Sequence, residues 1–181
     1  MKKPSEEEAN ERALARMFRK DARSLLEKHT SRIVRCLQLL NEKEIWWRSN
    51  DASNAAGNIV LHLCGNVRQW IISGLGGAPD FRERDKEFSE RGPIPRRALI
   101  GQLRSTVKQA CQTIDRVSSK TLSREFEIQR FRVSGLVAIA HVYEHFAYHT
   151  GQIIYLTKLK RGRDLRFTRL PSSKPSARRR P

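Results

Sequence analysis

The chain has 181 residues, 38% apolar and 30% charged, with a formal net charge of +17. That balance fits one folded domain with polar ends and argues against a fully disordered chain. The opening MKKPSEEEANER never reaches the apolar stretch that secretion requires, and no run of about 20 apolar residues exists to cross a membrane.

The three cysteines, Cys36, Cys64 and Cys111, sit among apolar residues without C-x-x-C spacing. They read as reduced core residues, and a cytoplasmic setting is expected. Much of the charge is local. From Lys158 to Pro181 there are ten Lys and Arg against one acid, +9 of the +17, so the net charge is not by itself a nucleic-acid signature of the folded body.

Residues 1–15 read as a polar N-terminal extension. Leu14, Met17, Phe18, Ala22, Leu25, Leu26, His29, Ile33, Cys36, Leu37 and Leu40 recur at helical spacing, which predicts a first amphipathic helix ending near Asn41. The segment NDASNAAG, Asn50 to Gly57, is rich in turn and cap residues and leads into a nearly all-apolar helix over Ile59 to Ile72. Gly74 to Pro95 holds four Gly and three Pro residues and the run FRERDKEF, and reads as a long connection across the bundle. Pro95 suits the first turn of a third helix, with Leu99, Ile100, Leu103, Val107, Ala110, Cys111, Ile114 and Val117 on one stripe. An irregular piece is expected around Phe126 to Phe131, then a fourth helix from Ser134 to about Lys160. Gly151 inside that helix hints at close packing or a ligand. Residues 166–181 read as a basic flexible tail. The whole predicts an all-α four-helix bundle, a fold that places ligands and metals between facing helices.

Two of these helices carry a polar seam on otherwise apolar surroundings. Asn58, His62, Asn66 and Gln69 mark one; His141, His145, His149 and Gln152 mark the other. Buried polar groups without partners cost about 2–7 kcal/mol each, so the seams are expected to face each other or share a ligand. Histidines four apart stand one helical turn apart and suit one ion, with His62 completing a three-histidine face. Such an open face matches a catalytic or substrate-binding site better than a closed structural one. Imidazole suits zinc, nickel, copper or iron, with zinc and nickel foremost.

Competing readings narrow the set. His29 reads as a satisfied core histidine, and Cys64 lies about 200° around the helix from His62, a poor position for a fourth ligand. Trp46, Trp47 and Trp70 read as core. Val142 and Phe146 follow His141 and His145 where the H-E-x-x-H motif needs Glu, which excludes zincin chemistry. Glu144 beside the seam is a candidate general base, and no G-x-S-x-G nucleophile setting is present.

NIVLHLCGNVRQW from Asn58 and HVYEHFAYHTGQIIYLTK from His141 resemble the DinB-like superfamily, in a branch of unassigned function, over about residues 16–168. The resemblance implies a DinB-like four-helix bundle over residues 16–165 and a divalent-metal site of His62, His145 and His149, with His141 an addition of second rank. It also implies a metal-dependent enzyme of the thiol S-transferase or hydrolase type, in which the ion activates a low-molecular-weight thiol or polarises a carbonyl, and a homodimer. Arg82, Arg84 and Glu87 in the crossing segment are candidates for binding an anionic small-molecule substrate. The alternative is a non-enzymatic protein whose basic tail weakly holds nucleic acid or another polyanion.

Overall fold

Helix α1 begins well before its apolar stripe, because Ser5 and Glu8 cap it reciprocally. The Ser5 hydroxyl accepts from the Glu8 amide and the Glu8 carboxylate accepts from the Ser5 amide, both at 3.2 Å. In the computed structural model, which describes residues 5–168, α1 spans Glu6–Leu39 with Glu6, Glu7 and Glu8 in its first turn, where acids complement the helix dipole. Most of the expected polar extension is therefore helix, and Ala15 is already buried.

The short α2, Glu42–Ile45, leads to α3, Ala56–Val67, which continues as π-helical turns over Arg68–Leu75. The polar residues before α3 do not cap it: the N-cap is Ala55, with no side-chain bond. The crossing segment is interrupted by one short helix, α4, Arg84–Ser89. Next comes α5, Arg96–Arg116, where Pro95 is the N-cap and the Glu42 carboxylate accepts from the Arg96 amide at 3.0 Å. After α6, Ser119–Ser123, the expected irregular piece is an antiparallel hairpin of β1, Glu125–Ile128, and β2, Phe131–Ser134. Gln129 and Arg130 both take positive φ, 51° and 67°, as a two-residue turn matched to strand twist demands. Helix α7, Gly135–Arg161, is capped by Ser134, whose hydroxyl accepts from the Val137 amide, and is closed by Gly162 at φ 60°.

The four long helices close into a ring, α1 packing on α5 and α7, and α3 on the same two. Leu26, Ile33, Leu37, Leu63, Leu99, Leu103, Ile114, Ile139 and Phe146 fill its centre with at most 1% exposure. Burying each such side chain contributes roughly 1.5–3 kcal/mol, which makes the ring the rigid frame on which the polar seams are hung. Gly151 corrects an expectation: it is exposed, and a Cβ there would meet nothing within 4 Å. At the C-terminal end Leu165 is buried and the Phe167 ring lies 4.9 Å from the Arg35 guanidinium, so the packed body reaches just past residue 165. The remainder of the basic tail, residues 169–181, lies outside the described residues. No helix among the described residues is long and apolar enough to cross a membrane.

Candidate metal centre

The α3–α7 contact brings His62, His145 and His149 together, one ligand atom of each lying within 4.8 Å of the others. His145 Nε2 stands 3.1 Å from both His62 Nε2 and His149 Nε2. The outer nitrogens of two of these rings are already committed. His62 Nδ1 lies 2.9 Å from Glu87 Oε2, and His149 Nδ1 lies 2.7 Å from Gln152 Oε1. Both oxygens are acceptors, which assigns the proton of each ring to Nδ1 and turns an Nε2 lone pair inward; Arg82 Nη2, which donates to Glu87 Oε2 at 2.9 Å, also lies 3.2 Å from His62 Nδ1.

This arrangement is short of protons. If His145 carries its hydrogen on Nε2, one hydrogen is shared between two lone pairs; if on Nδ1, three lone pairs face one another. In either state His145 Nδ1 is buried and finds no partner among the described residues. Burial first, then the neighbouring charges of His149, His62, His141 and Arg82, push the His145 imidazole down to about 3. Burial likewise lowers His149, against the opposing hydrogen bond that its Nδ1 donates to Gln152 Oε1. A neutral, inward-facing imidazole is the form that ligates a metal. Two of the three donor separations also fit an ion in size, and the third lies within 4.8 Å. Nitrogens about 2.0–2.1 Å from a tetrahedral zinc lie about 3.3 Å apart, close to the 3.1 Å found here.

Around the three histidines stands a polar and aromatic shell. Glu87 is buried and gripped by Arg82, whose Nε and Nη2 donate to its two oxygens at 2.8 and 2.9 Å. Burial raises the Glu87 carboxyl, but the hydrogen bonds and charges of Arg82 and His62 outweigh it and hold the group below the ordinary carboxylate range. Asn58 donates to the Glu87 and Glu90 carbonyls at 2.9 Å and accepts from Arg48 at 2.8 Å, fixing the crossing segment to α3. The Phe88 ring lies 4.7 Å from the His62 ring, and Tyr148 packs edge-on against His149 at 5.1 Å.

A family described as "Protein of unknown function (DUF1572)" matches residues 13–174. The chain belongs to this family. Its fold is DinB-like. Solved structures similar to it include a conserved protein of Enterococcus faecalis, with TM-score 0.66, 14% identity and coverage of 80% of this chain and 97% of that one. Two DinB-like proteins, from Bacillus cereus and Bacillus subtilis, match with TM-scores of 0.60 and 0.61 and identities of 15% and 13%. They cover 74% and 80% of this chain, and 87% and 94% of their own lengths. No curated protein matches the chain.

Other residues singled out in the sequence of this family member fall in different places. Arg82 is not presented to a substrate, because its guanidinium is buried against Glu87 and also donates to Gln69 Oε1 at 3.0 Å. Arg84 is exposed and stacks over Phe88 at 4.9 Å, one ring away from His62. Glu144 is exposed, and its charge is felt by His141 rather than by the three-histidine group. His141 stacks on Trp70 at 4.0 Å, and burial lowers its imidazole despite Glu144. Trp70 is thus both core and a platform for His141. Cys64 faces away toward Thr106, outside the three-histidine group, and burial pushes its thiol up to about 12. Cys36, Cys64 and Cys111 are all buried and free. His29 corrects an expectation, for it is half-buried with Nδ1 unpartnered among the described residues. Glu87, expected with Arg82 and Arg84 to meet an anionic substrate, is instead turned inward onto His62 and Arg82; its place against His62 has no spacing signal.

Proposed function

We propose that this chain is a divalent-metal protein in which His62, His145 and His149 hold one ion, and that it acts as an enzyme of the thiol S-transferase or hydrolase type on a small anionic substrate. The observation that carries the reading is the convergence of three Nε2 atoms whose rings are aimed from behind by Glu87 and Gln152. Protein carboxylates and carbonyls on the far nitrogen are the usual means of orienting a metal-binding histidine. The ion, when bound, supplies the Lewis acidity that makes a thiol or water nucleophilic near neutral pH.

The chain's own groups do the rest. The three imidazoles come from two rigid helices and leave the ion's remaining positions to substrate. Phe88 and Tyr148 flank the rings. Exposed Arg84, stacked on Phe88, is the cation placed to meet a substrate anion. Neutral imidazole suits zinc, nickel, copper or iron, and of these zinc and nickel are the ions proposed. The test is metal content of the purified protein, followed by a screen of thiol-conjugating and hydrolytic activity with and without the metal. Stoichiometric metal and metal-dependent turnover are expected; turnover unaffected by chelation would sink the catalytic reading.

A further inference from the structure

The crossing segment reaches the metal centre by an unusual route. Glu87 comes from α4, yet its carboxylate lies against the backbone of α3 one turn beyond His62, at Gly65. A Cβ on residue 65 would stand 1.8 Å from Glu87 Oε1 and 2.9 Å from Arg82 Nε. Only a bare helix position admits both groups. The carboxylate then has two tasks at once, accepting from His62 Nδ1 at 2.9 Å and receiving two Arg82 donors. Buried on both sides, 3% exposed for Arg82 and 10% for Glu87, the pair keeps its geometry because a lone buried charge would be costly.

We propose that Glu87, clamped by Arg82 over the bare backbone of Gly65, is the positioning residue of this metal centre, holding His62 with Nε2 free to ligate and so making the crossing segment part of the site. The inference rests on the three-histidine reading above. It has a further consequence. An ion on His62 strengthens the Nδ1–H donor that faces Glu87, so metal binding and docking of residues 80–90 are linked, each favouring the other.

The test is zinc affinity by competition with a chelator for the full chain and for Glu87→Ala, Glu87→Gln, Gly65→Ala and Asp85→Ala, with amide exchange of residues 80–90 followed with and without zinc. Helical content by circular dichroism of each metal-free variant checks folding. Glu87→Ala and Gly65→Ala are expected to lose about 10–100-fold in affinity. Glu87→Gln, which keeps an acceptor for His62 Nδ1, recovers part of that loss, and the exposed Asp85→Ala matches wild type. Zinc slows exchange over residues 80–90 in wild type and not in Glu87→Ala. A folded Glu87→Ala binding zinc as tightly as wild type, or a Glu87→Gln that recovers nothing relative to Glu87→Ala, overturns the inference while leaving the three-histidine site intact. A wild type that binds no zinc or nickel overturns both.

Discussion

His145 is the residue on which the site turns, since its Nε2 is the atom both other histidines approach, and its imidazole is the one most resistant to protonation. Folding lowers it from 6.5 to about 3, chiefly by burial, so below pH 6.5 the unfolded chain binds a proton that the folded chain refuses. The sign follows from linkage: stability is whole above about pH 6.5 and is lost as pH falls through the window down to about 3. Glu87, held below its ordinary range, loses stability in the same direction at the acid end. Metal-free protein melted between pH 7 and 4.5 is therefore expected to lose more stability than metal-free His145→Asn. Equal losses would contradict the assigned burial. At this scale the three histidines that converge were legible from the sequence, because four-residue steps on apolar helices reveal a polar seam directly. The shell was not. Arg82 and Glu87 stand in a charged loop in the sequence, and only the fold turns that charge inward onto His62. Asn58 shares the seam of His62, yet serves the loop carbonyls rather than the three-histidine group.

The long helices were legible as elements because each carries an apolar stripe, while the short pieces were not. β1 and β2 are four residues each, too short for alternation to stand out, and their turn depends on positive φ at Gln129 and Arg130, residues without a glycine signal. The π-helical turns after α3 are likewise invisible in composition, although they set Trp70 over His141. Helix α5 offers a clean test of the frame apart from the site. Leu103 is fully buried on its inner face, so Leu103→Ala is expected to cost about 2–5 kcal/mol in denaturant unfolding of the metal-free protein. An effect below 1 kcal/mol would mean that the α1–α5–α3–α7 ring is packed otherwise.

Across the whole molecule, the fold is shared with DinB-like proteins at 13–15% identity, so the same bundle is reached with few residues in common. Apolar periodicity dictates such a ring, and many sequences satisfy it. The polar seam is the part that a packing requirement does not explain. A metal that binds only the folded ring stabilises the entire molecule by mass action, about 2.7 kcal/mol at a free concentration 100 times the Kd. For a chain of this length that is a rise of roughly 5–10 °C in Tm, read by thermal melting with and without zinc, and absent in His62→Ala.

The most direct measurement is calorimetric titration of zinc and of nickel into metal-free wild type and into His145→Ala. One ion per chain binding wild type, with binding abolished or weakened by orders of magnitude in a folded His145→Ala, is the predicted result. A wild type that takes up neither metal, or a His145→Ala that binds as wild type does, would contradict the three-histidine centre.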